Sequence, residues 1–334
     1  MIRHFIDVDD LSCEELDTVL AMASLPAREI PQVLKGRSAA LVFERPSART
    51  RSSAELAVVA LGGHPVYIQG AEVGIDERET AEDVARTMAA FHAVLCARVV
   101  DHDVLVRMTA ALDGDVANTV PVVNLLSDLA HPCQALADLL TLHEVFGRLE
   151  GRTVAYMGDA NNVWRSLALA AAMTGLRLRT ACPDGYGPDP DDLARVARLG
   201  GELEICTEPI DAATGADALY TDVWTSMGQE EEVNLRRKAF AGFTVDDELL
   251  ARAAPDAVVL HCLPAHRGEE ITASVIDGPR SVVWRQTANR LHAMRGLLAW
   301  LLGAESSSPA ESSSTSRAAS DRTTSNRTTS EGGR

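Results

Sequence analysis

Short apolar runs rich in β-branched residues alternate along the chain with longer segments of helical periodicity. Turn residues such as Gly, Pro, Asn and Asp bound the short runs, which is typical of buried strands. Strands that alternate with amphipathic helices predict an α/β protein whose parallel sheets carry helices on both faces. The predicted strands are AALVF, PVYIQ, AVLCARVV, PVVNLL, TVAYMG, RLRTACP, LEICT, ALYTDVW, AVVLHCLP and SVVW.

The order of these elements indicates two doubly wound parallel-sheet domains. The first covers residues 1–130, and the second covers 131–287, opening with a long helix before the strand TVAYMG. A last apolar helix covers about 288–303. The predicted helices are SSAELAVVALGG, AEDVARTMAAFH, PCQALADLLTLHEVFG, WRSLALAAAMTG, PDDLARVARLGG and NRLHAMRGLLAWLLG.

Composition predicts a disordered tail and argues against nucleic acid and anionic membranes as partners. The 334 residues are 46% hydrophobic, which is enough for a core in each domain, and their formal net charge is −17. Residues 304–334 are rich in Ser, Thr and Arg without hydrophobic periodicity, so we predict that they are disordered. The acidity lies in the folded part and argues against binding to nucleic acid or to an anionic membrane.

Cysteine usage and hydropathy point to a cellular compartment. The six cysteines are scattered without a C-x-x-C pair, which indicates a reducing environment. The N-terminal residues lack the apolar stretch of a signal peptide, and no stretch reaches the roughly 18 apolar residues that span a membrane. We therefore expect a cytoplasmic enzyme.

One short turn concentrates positive charge in this acidic chain. Residues 42–53 read VFERPSARTRSS, a predicted strand followed by a turn that enters a helix. Ser47 can cap that helix, whose free N–H groups and partial positive charge favour a phosphate. Arg49 and Arg51 add charge, and Thr50 adds a hydroxyl donor. The alternative, a basic first turn without a ligand, is unfavourable at a helix N-terminus, so we favour an anion site.

Other polar residues end predicted strands or open predicted helices. Arg98 ends HAVLCAR, and ligands of open α/β sheets lie beyond the carboxyl ends of strands. Arg98 therefore faces the same anion or is an ordinary ion-pair partner. His131 and Gln134 lie in the first turn of the helix that starts at Pro132. His131 could stabilise an oxyanion, and the alternative is a capping His with a surface Gln.

Polar residues also follow the strands of the second domain. The turn MGDANNVWRSL lacks the G-x-G-x-x-G pattern of dinucleotide sites, so an oxidoreductase is disfavoured. Asn161 and Asn162 offer amide groups for a ligand, or form an Asx turn. Asp222 and Ser226 can bind an amino group and a carboxylate. Arg290 opens the last predicted helix and is another candidate anion ligand.

A cysteine ends the strand in VVLHCLPAHRG. A nucleophilic Cys262 needs a nearby base, and the adjacent His261 points to the other face if the strand continues. The spacing of His261, Cys262 and His266 matches no usual zinc pattern. We therefore predict no metal site.

Six motifs together identify a family resemblance. They are FERPSARTR, HPCQALADLLT, GDANNVWRSL, DVWTSMGQE, HCLPAHRG and NRLHAM. In their order and spacing the chain resembles the ornithine carbamoyltransferases over about residues 1–303. The resemblance implies a carbamoyl-phosphate domain, 1–130, completed by the last helix, and an ornithine domain, 131–287. Two helices would join the domains. It also implies a homotrimer or a multiple of it, active sites between subunits, and no metal or organic cofactor.

The resemblance also implies roles for individual residues. The expected catalytic residues are Arg49, Arg98, His131 and Cys262. The expected ornithine ligands are Asn162, Asp222, Ser226 and Met227. The expected carbamoyl-phosphate ligands are Ser47, Ala48, Arg49, Thr50, Arg98, His131, Gln134, Cys262, Leu263 and Arg290.

The implied reaction is carbamoyl transfer by positioning and charge stabilisation. The neutral δ-amine of L-ornithine attacks carbamoyl phosphate, phosphate leaves, and L-citrulline forms in arginine metabolism, with biosynthesis as the default direction. Arg49, Thr50, Arg98 and His131 would stabilise the oxyanion and the leaving phosphate. Cys262 would line the site near the amine and not act as a nucleophile.

Two positions depart from the family pattern. The phosphate loop usually reads Ser-Thr-Arg-Thr, and Ala48 replaces the Thr at a cost of about 1 kcal/mol for one neutral hydrogen bond. Glu72 stands near a Gln or His that would reach the neighbouring subunit's site. Since a carboxylate would repel phosphate, Glu72 turns toward an Arg or does not occupy that position.

Other activities fit fewer of the motifs. Aspartate carbamoyltransferases share the phosphate loop, Arg98, His131 and Gln134, but DVWTSMGQE and HCLP favour ornithine. The SMG element also disfavours putrescine or acylated ornithines. A catalytically inactive homologue that binds carbamoyl phosphate remains an alternative, and its support in the sequence is the pair Ala48 and Glu72.

Overall fold

The computed structural model describes residues 3–113, 120–225 and 230–303. Its first sheet has four parallel strands in the spatial order β2-β1-β3-β4. At the carboxyl edge, Phe43 is in register with both Gln69 and Arg98, so three strands end level. The strands are β1 (Ser38–Phe43), β2 (His64–Gln69), β3 (Val94–Arg98) and β4 (Val122–Leu126).

The second sheet has five parallel strands in the order β7-β6-β5-β8-β9. In each sheet the strand order reverses between two central strands, β1 and β3 in the first and β5 and β8 in the second. Ligands of open α/β sheets bind at such reversal points, beyond the carboxyl ends of the strands. The strands are β5 (Thr153–Met157), β6 (Arg177–Ala181), β7 (Glu202–Cys206), β8 (Ala218–Thr221) and β9 (Val258–His261).

Helices connect the strands and cover both sheets. Their ends carry the expected caps, such as Ser12, which accepts from the main-chain N–H of Glu15 in a capping box. The helices are α1 (Cys13–Ala23), α2 (Ala48–Ala60), α3 (Gly70–Val73), α4 (Ala81–Phe91), α5 (His102–Asp113), α6 (Pro132–Phe146), α7 (Asn162–Thr174), α8 (Pro190–Arg198), α9 (Pro209–Ala213), α10 (Val233–Ala239), α11 (Asp247–Arg252), α12 (Ala273–Ile276) and α13 (Val283–Leu301). In the described ranges, none of these helices combines the length and the hydropathy needed to cross a bilayer.

Two helices run between the sheets and share one apolar core. Helix α6 follows the first sheet and leads into β5, while α13 follows β9 and packs on α1, α2 and α6. Gly296 makes this packing possible, since a Cβ there would lie 2.6 Å from the main-chain N of Ala23. The largest cluster of buried side chains includes Leu41 of β1, Tyr156 of β5 and Leu136 of α6. The sheets are therefore held by continuous packing.

The N-terminal segment also joins the two halves through charge. Phe5 bridges to Val123 of β4, and Asp7 accepts hydrogen bonds from Arg165 at 2.6 Å and from Arg195 at 2.9 Å. Arg165 and Asp7 are both buried, so each charge is compensated by the other. This segment fixes α7 and α8 against the edge of the first sheet.

The fold class predicted from the sequence is confirmed, and nine of the ten predicted strands are present. The prediction for SVVW is wrong, because Ser281 makes only an isolated bridge to Val259 and Val283 already begins α13. The apolar pattern of this stretch reflects burial of Val283 at the start of a helix. The tail predicted to be disordered, 304–334, lies outside the described residues.

Candidate active site

The strand β1 ends at a turn that opens helix α2, the segment predicted to hold an anion. Ser47 is the N-cap residue: its Oγ accepts from the main-chain N–H of Thr50 at 3.4 Å and lies 3.1 Å from Thr50 Oγ1. No acidic residue lies in the first turn of this helix. The N–H groups of that turn therefore retain their partial positive charge toward the edge of the sheet.

Two arginines from distant parts of the chain converge on Thr50. Arg98 Nη1 donates to Thr50 Oγ1 at 3.4 Å, and Arg290 Nη2 donates to the same oxygen at 3.0 Å. Burial, together with the positive charges of Arg290 and Arg49, lowers the pKa of Arg98 to about 10. Arg98 and Arg290 are buried, and in the described ranges their side-chain partners are the neutral Thr50 and Gln134, with no carboxylate in salt-bridge contact. This cluster therefore lacks negative charge that an anion would supply.

The neighbouring arginine of the same turn is engaged elsewhere. Arg51 forms an ion pair with Glu55 at 2.8 Å and stacks over the ring of Tyr67 at 3.7 Å. Arg45 is exposed at the turn. The structure thus separates Arg49, which contributes to the positive field at Arg98, from two arginines that lie outside the cluster.

His131 lies at the N-terminus of α6, close to the arginine cluster. Its side chain makes no capping hydrogen bond, while its main-chain N–H donates to Ser166 Oγ at 2.8 Å. Burial, followed by the charges of Arg290, Arg98 and Arg49, holds the pKa of His131 well below its usual value. The imidazole is therefore neutral at physiological pH. Its buried Nδ1 has no hydrogen-bond partner in the ranges that the structure describes.

Gln134 is buried, not on the surface, and its amide is held at both ends. Its Oε1 accepts from Arg290 Nη1 at 2.9 Å, and its Nε2 donates to Asp138 Oδ1 at 2.8 Å. Asp138 was missed by the sequence interpretation. The available signal was an acidic residue four positions after Gln134 in an otherwise apolar helix.

The second sheet presents a carboxylate at its own reversal point. Asp222 follows β8 and accepts from the thiol of Cys262 at 2.8 Å, from Asn161 Nδ2 at 2.9 Å and from the main-chain N–H of Val223 at 2.8 Å. Asn161, and not the predicted ligand Asn162, therefore contacts Asp222. Asn162 Nδ2 instead donates to the carbonyl of Ser127 in the loop before α6, at 2.6 Å.

Cys262 is a thiol in this site. Burial, followed by the nearby Asp222 carboxylate, raises its pKa well above the usual value. His261 offers no free base, because its Nδ1 accepts from the main-chain N–H of Leu263 and its Nε2 contacts Glu270 at 3.1 Å. Asp222, His261 and Cys262 have ligand atoms within 4.8 Å of one another, but both ring nitrogens of His261 are occupied. The geometry supports neither a cysteine nucleophile nor a histidine metal ligand.

Several predicted residues lie at the margins of this site. Leu263 follows Cys262 with a φ of +60°, a left-handed conformation that is uncommon for a branched side chain. Ala48 is the exposed first residue of α2. Glu72 accepts from the main-chain N–H of Gln69 at 3.1 Å and caps its own short helix, not an arginine side chain. Ser226 and Met227 lie outside the described residues.

The two halves meet around Arg290. This residue bonds to Thr50 of the first sheet and to Gln134 of α6, and it is close enough to Cys262 for each to influence the pKa of the other. The edge of the first sheet thus carries cations and a neutral His. The edge of the second sheet carries Asp222 and a thiol.

Known proteins with the same sequence pattern share this architecture. Residues 3–144 match the family described as aspartate/ornithine carbamoyltransferase, carbamoyl-P binding domain, and residues 150–301 match its Asp/Orn binding domain. An ornithine carbamoyltransferase of Acidothermus cellulolyticus is 51% identical over 311 residues, covering 91% of this chain and 98% of that protein.

Two comparisons with ornithine carbamoyltransferases of Pyrococcus furiosus support the same family. Its protein named ornithine carbamoyltransferase, anabolic, is 42% identical over 312 residues, covering 90% of this chain and 96% of that protein. A solved structure of ornithine carbamoyltransferase from this organism superposes with a TM-score of 0.85 at 41% identity, covering 91% and 98% of the two chains. The chain therefore belongs to the aspartate/ornithine carbamoyltransferase family.

Proposed function

We propose that the protein is an ornithine carbamoyltransferase, which transfers the carbamoyl group of carbamoyl phosphate to the δ-amine of L-ornithine. The products are L-citrulline and phosphate. The observation that carries the proposal is the convergence of Arg98 and Arg290 on Thr50, beside the N-terminus of α2. This cation cluster faces the carboxylate edge formed by Asp222.

The phosphate of the donor fits the first half of the site. Main-chain N–H groups at Ala48 and Arg49 offer donors at a helix N-terminus, and the hydroxyls of Ser47 and Thr50, which bond to each other, lie beside them. Arg49, Arg98 and Arg290 supply charge that the described residues leave uncompensated. Ala48 retains its N–H, so the missing hydroxyl at this position weakens binding only modestly.

The carbamoyl group fits the space between this half and the Cys262–Leu263 turn. The imidazole of His131 is neutral and can donate to the carbamoyl oxygen as negative charge develops on it. Gln134 presents its carbonyl oxygen beside Arg290, where it can accept from the carbamoyl amino group. Cys262 and Leu263 would close the third side of the group.

Ornithine fits the second half. Asp222 can accept from an ammonium group of the amino acid, and Asn162, Ser226 and Met227 are the further proposed contacts. The δ-amine attacks as the neutral base, its nitrogen bonds to the carbamoyl carbon, and the bond from that carbon to the phosphate oxygen breaks. The amine loses one proton, which the leaving phosphate accepts. Catalysis is then orientation of two substrates plus stabilisation of the oxyanion and of the leaving phosphate by fixed cations.

Assembly, boundaries and location are further parts of the proposal. Domains of 1–130 with the last helix, and of 131–287, agree with the two sheets and with the position of α13. A homotrimer with shared active sites is supported by the exposed apolar side chains of Leu56 and Val59 on one face of α2. A cytoplasmic location is supported by six free cysteines. The biosynthetic direction rests on the name of the P. furiosus relative.

An assay of phosphate release and of the ureido product across candidate amines tests the proposal. With carbamoyl phosphate present, we expect rapid carbamoylation of L-ornithine and negligible rates with L-aspartate or putrescine. Faster carbamoylation of L-aspartate would overturn the assignment of the acceptor. Tight binding of a bisubstrate mimic without citrulline formation would instead identify a catalytically inactive homologue.

A further inference from the structure

Asp138 is a buried carboxylate with no role in the reaction described above. It lies on the second turn of α6. Its Oδ1 accepts from Gln134 Nε2 at 2.8 Å and from Gln286 Nε2 at 2.7 Å, and its Oδ2 accepts from the hydroxyl of Tyr220 at 3.1 Å. Three neutral donors from α6, α13 and β8 thus meet at one acceptor.

This carboxylate determines which end of the Gln134 amide faces the substrate. An ionised carboxylate only accepts hydrogen bonds, so the amide NH₂ must point toward Asp138. On the other side of the amide, Arg290 only donates, so it must meet the carbonyl oxygen, as it does at 2.9 Å. Both neighbours enforce the same orientation. A flipped amide would place donor against donor at Arg290 and acceptor against acceptor at Asp138.

The same carboxylate orients a second amide. Gln286 donates to Asp138 through Nε2, and its Oε1 accepts from the main-chain N–H of His261 at 2.9 Å. His261 immediately precedes Cys262, which lines the proposed carbamoyl site. Asp138 therefore aligns hydrogen-bonding groups on two sides of that site while remaining outside it.

We propose that Asp138 is a positioning residue that holds the carbonyl oxygen of Gln134 toward the acyl group of the substrate. It thereby favours acyl phosphates whose acyl group carries an amino group. This inference rests on the proposed function, in which Gln134 contacts the carbamoyl group. Gln134 Oε1 has a second lone pair beyond the one used by Arg290, and a carbamoyl NH₂ can donate to it. The methyl group of acetyl phosphate cannot. A free amide would turn its own NH₂ toward the carbamoyl NH₂ for part of the time.

Two substitutions at Asp138 separate orientation from packing. Asp138→Leu removes every acceptor. Asp138→Asn keeps one oxygen for the two glutamines, and its NH₂ can donate to the Tyr220 oxygen, so the orientation of Gln134 is preserved. The Asn variant is therefore the conservative control, and Gln134→Met, which lacks any amide, is the reference for complete loss.

The experiment measures three constants for each full-length variant: the KM of carbamoyl phosphate with L-ornithine, and the inhibition constants of acetyl phosphate and of inorganic phosphate. For Asp138→Leu we expect the carbamoyl phosphate KM to rise about tenfold or more, while the two inhibition constants change less than about twofold. For Asp138→Asn, all three constants should lie close to those of the unmodified protein. In the Gln134→Met background, Asp138→Leu should leave the ratio of the carbamoyl phosphate KM to the two inhibition constants unchanged, because the amide that Asp138 orients is absent.

Other outcomes overturn the inference. An equal rise of all three constants in Asp138→Leu would mean that the residue only maintains the structure. If that variant does not fold, Gln134→Met decides, because unchanged discrimination between carbamoyl and acetyl phosphate without the amide contradicts the proposal. Absence of citrulline formation by the unmodified protein would instead reject the proposed function, so the two failures are distinguishable.

Discussion

The two strand edges that form the site differ in how their polar groups are satisfied. At the first sheet, Arg98, Arg290 and His131 offer donors or a neutral ring to a space that holds no compensating carboxylate in the described ranges. At the second sheet, Asp222 already accepts three hydrogen bonds from Cys262, Asn161 and Val223. The phosphate side is thus preorganised for a ligand, whereas the amino-acid side is internally satisfied.

This difference has an energetic meaning. Cations held together without counter-ions destabilise the protein until an anion binds, and they act in a fixed arrangement when charge moves onto the leaving phosphate. The amino-acid side must exchange existing hydrogen bonds for contacts with the substrate. Charge therefore contributes less to the binding free energy there, and the orientation of the substrate contributes more. Activity should therefore be most sensitive to the first edge.

The largest effect is expected from removing one cation of the first edge. Arg49→Met should lower kcat/KM by about 10³-fold, because it removes a charged contact from a water-poor site. Steady-state kinetics measure this loss. Arg51→Met is the matched control two residues along the same helix, since Arg51 is paired with Glu55 and stacks on Tyr67. We expect its kcat/KM to change by less than about threefold. Equal losses in both variants would mean that α2 does not present Arg49 selectively.

A smaller and more specific effect is expected at the second edge. Asp222→Asn should raise the KM of L-ornithine by about 100-fold through loss of a charged contact, and leave the inhibition constant of inorganic phosphate unchanged. Asp217→Asn is the matched control, because Asp217 precedes the strand that Asp222 follows and pairs with Arg152 at the opposite edge. It should leave the KM of ornithine unchanged. A parallel rise in the phosphate constant of Asp222→Asn would contradict the division of the site.

The smallest effect concerns the carboxylate between the two edges. Burial raises the pKa of Asp138 to about 6, although Gln134, Gln286, Tyr220 and the charge of Arg290 oppose the shift. The folded state therefore binds this proton more tightly than the unfolded state, so stability falls as the pH rises from about 4 to about 6, and the full cost of the ionised carboxylate is present above that range. Asp138→Asn removes this penalty and should increase the free energy of unfolding at pH 7.5 by about 1–3 kcal/mol.

Denaturant unfolding at several pH values measures this difference. The gain of Asp138→Asn over the unmodified protein should shrink as the pH falls through 6 toward 4, since Asp138 is then protonated. A variant that is less stable than the unmodified protein at pH 7.5, with a difference that does not depend on pH, would show that the carboxylate is not under electrostatic strain.

Much of this arrangement was accessible from the sequence through one physical rule. Parallel strands bring their carboxyl ends to one edge of a sheet, and this rule predicts that Arg98 can face the anion turn that follows β1. The placement of Asp222 and Cys262 in the same site follows from the family resemblance. The nine confirmed strands follow from their apolar runs and flanking turn residues. The site roles assigned to these residues stay predictions that the substitutions above address.

The remaining features depend on contacts that local patterns do not encode. The choice of Asn161 over Asn162 as the partner of Asp222 follows from which side chain caps α7. The role of Asp138 needs the relative placement of α6, α13 and β8. The error at SVVW arose because two consecutive valines, of which Val283 is buried, are compatible with a strand or with the start of a helix.

Arg290 is synthesised long after the other residues of the phosphate site. It reaches Thr50 across 240 positions of sequence, and it lies in the last described helix. During synthesis from the N-terminus, the first sheet and its phosphate turn can form long before Arg290 has been added. A chain interrupted anywhere upstream of α13 would lack one of its three guanidinium groups and the cationic partner of Gln134. A complete phosphate site therefore requires synthesis to extend through α13, and we expect products that end upstream of this helix to bind carbamoyl phosphate weakly.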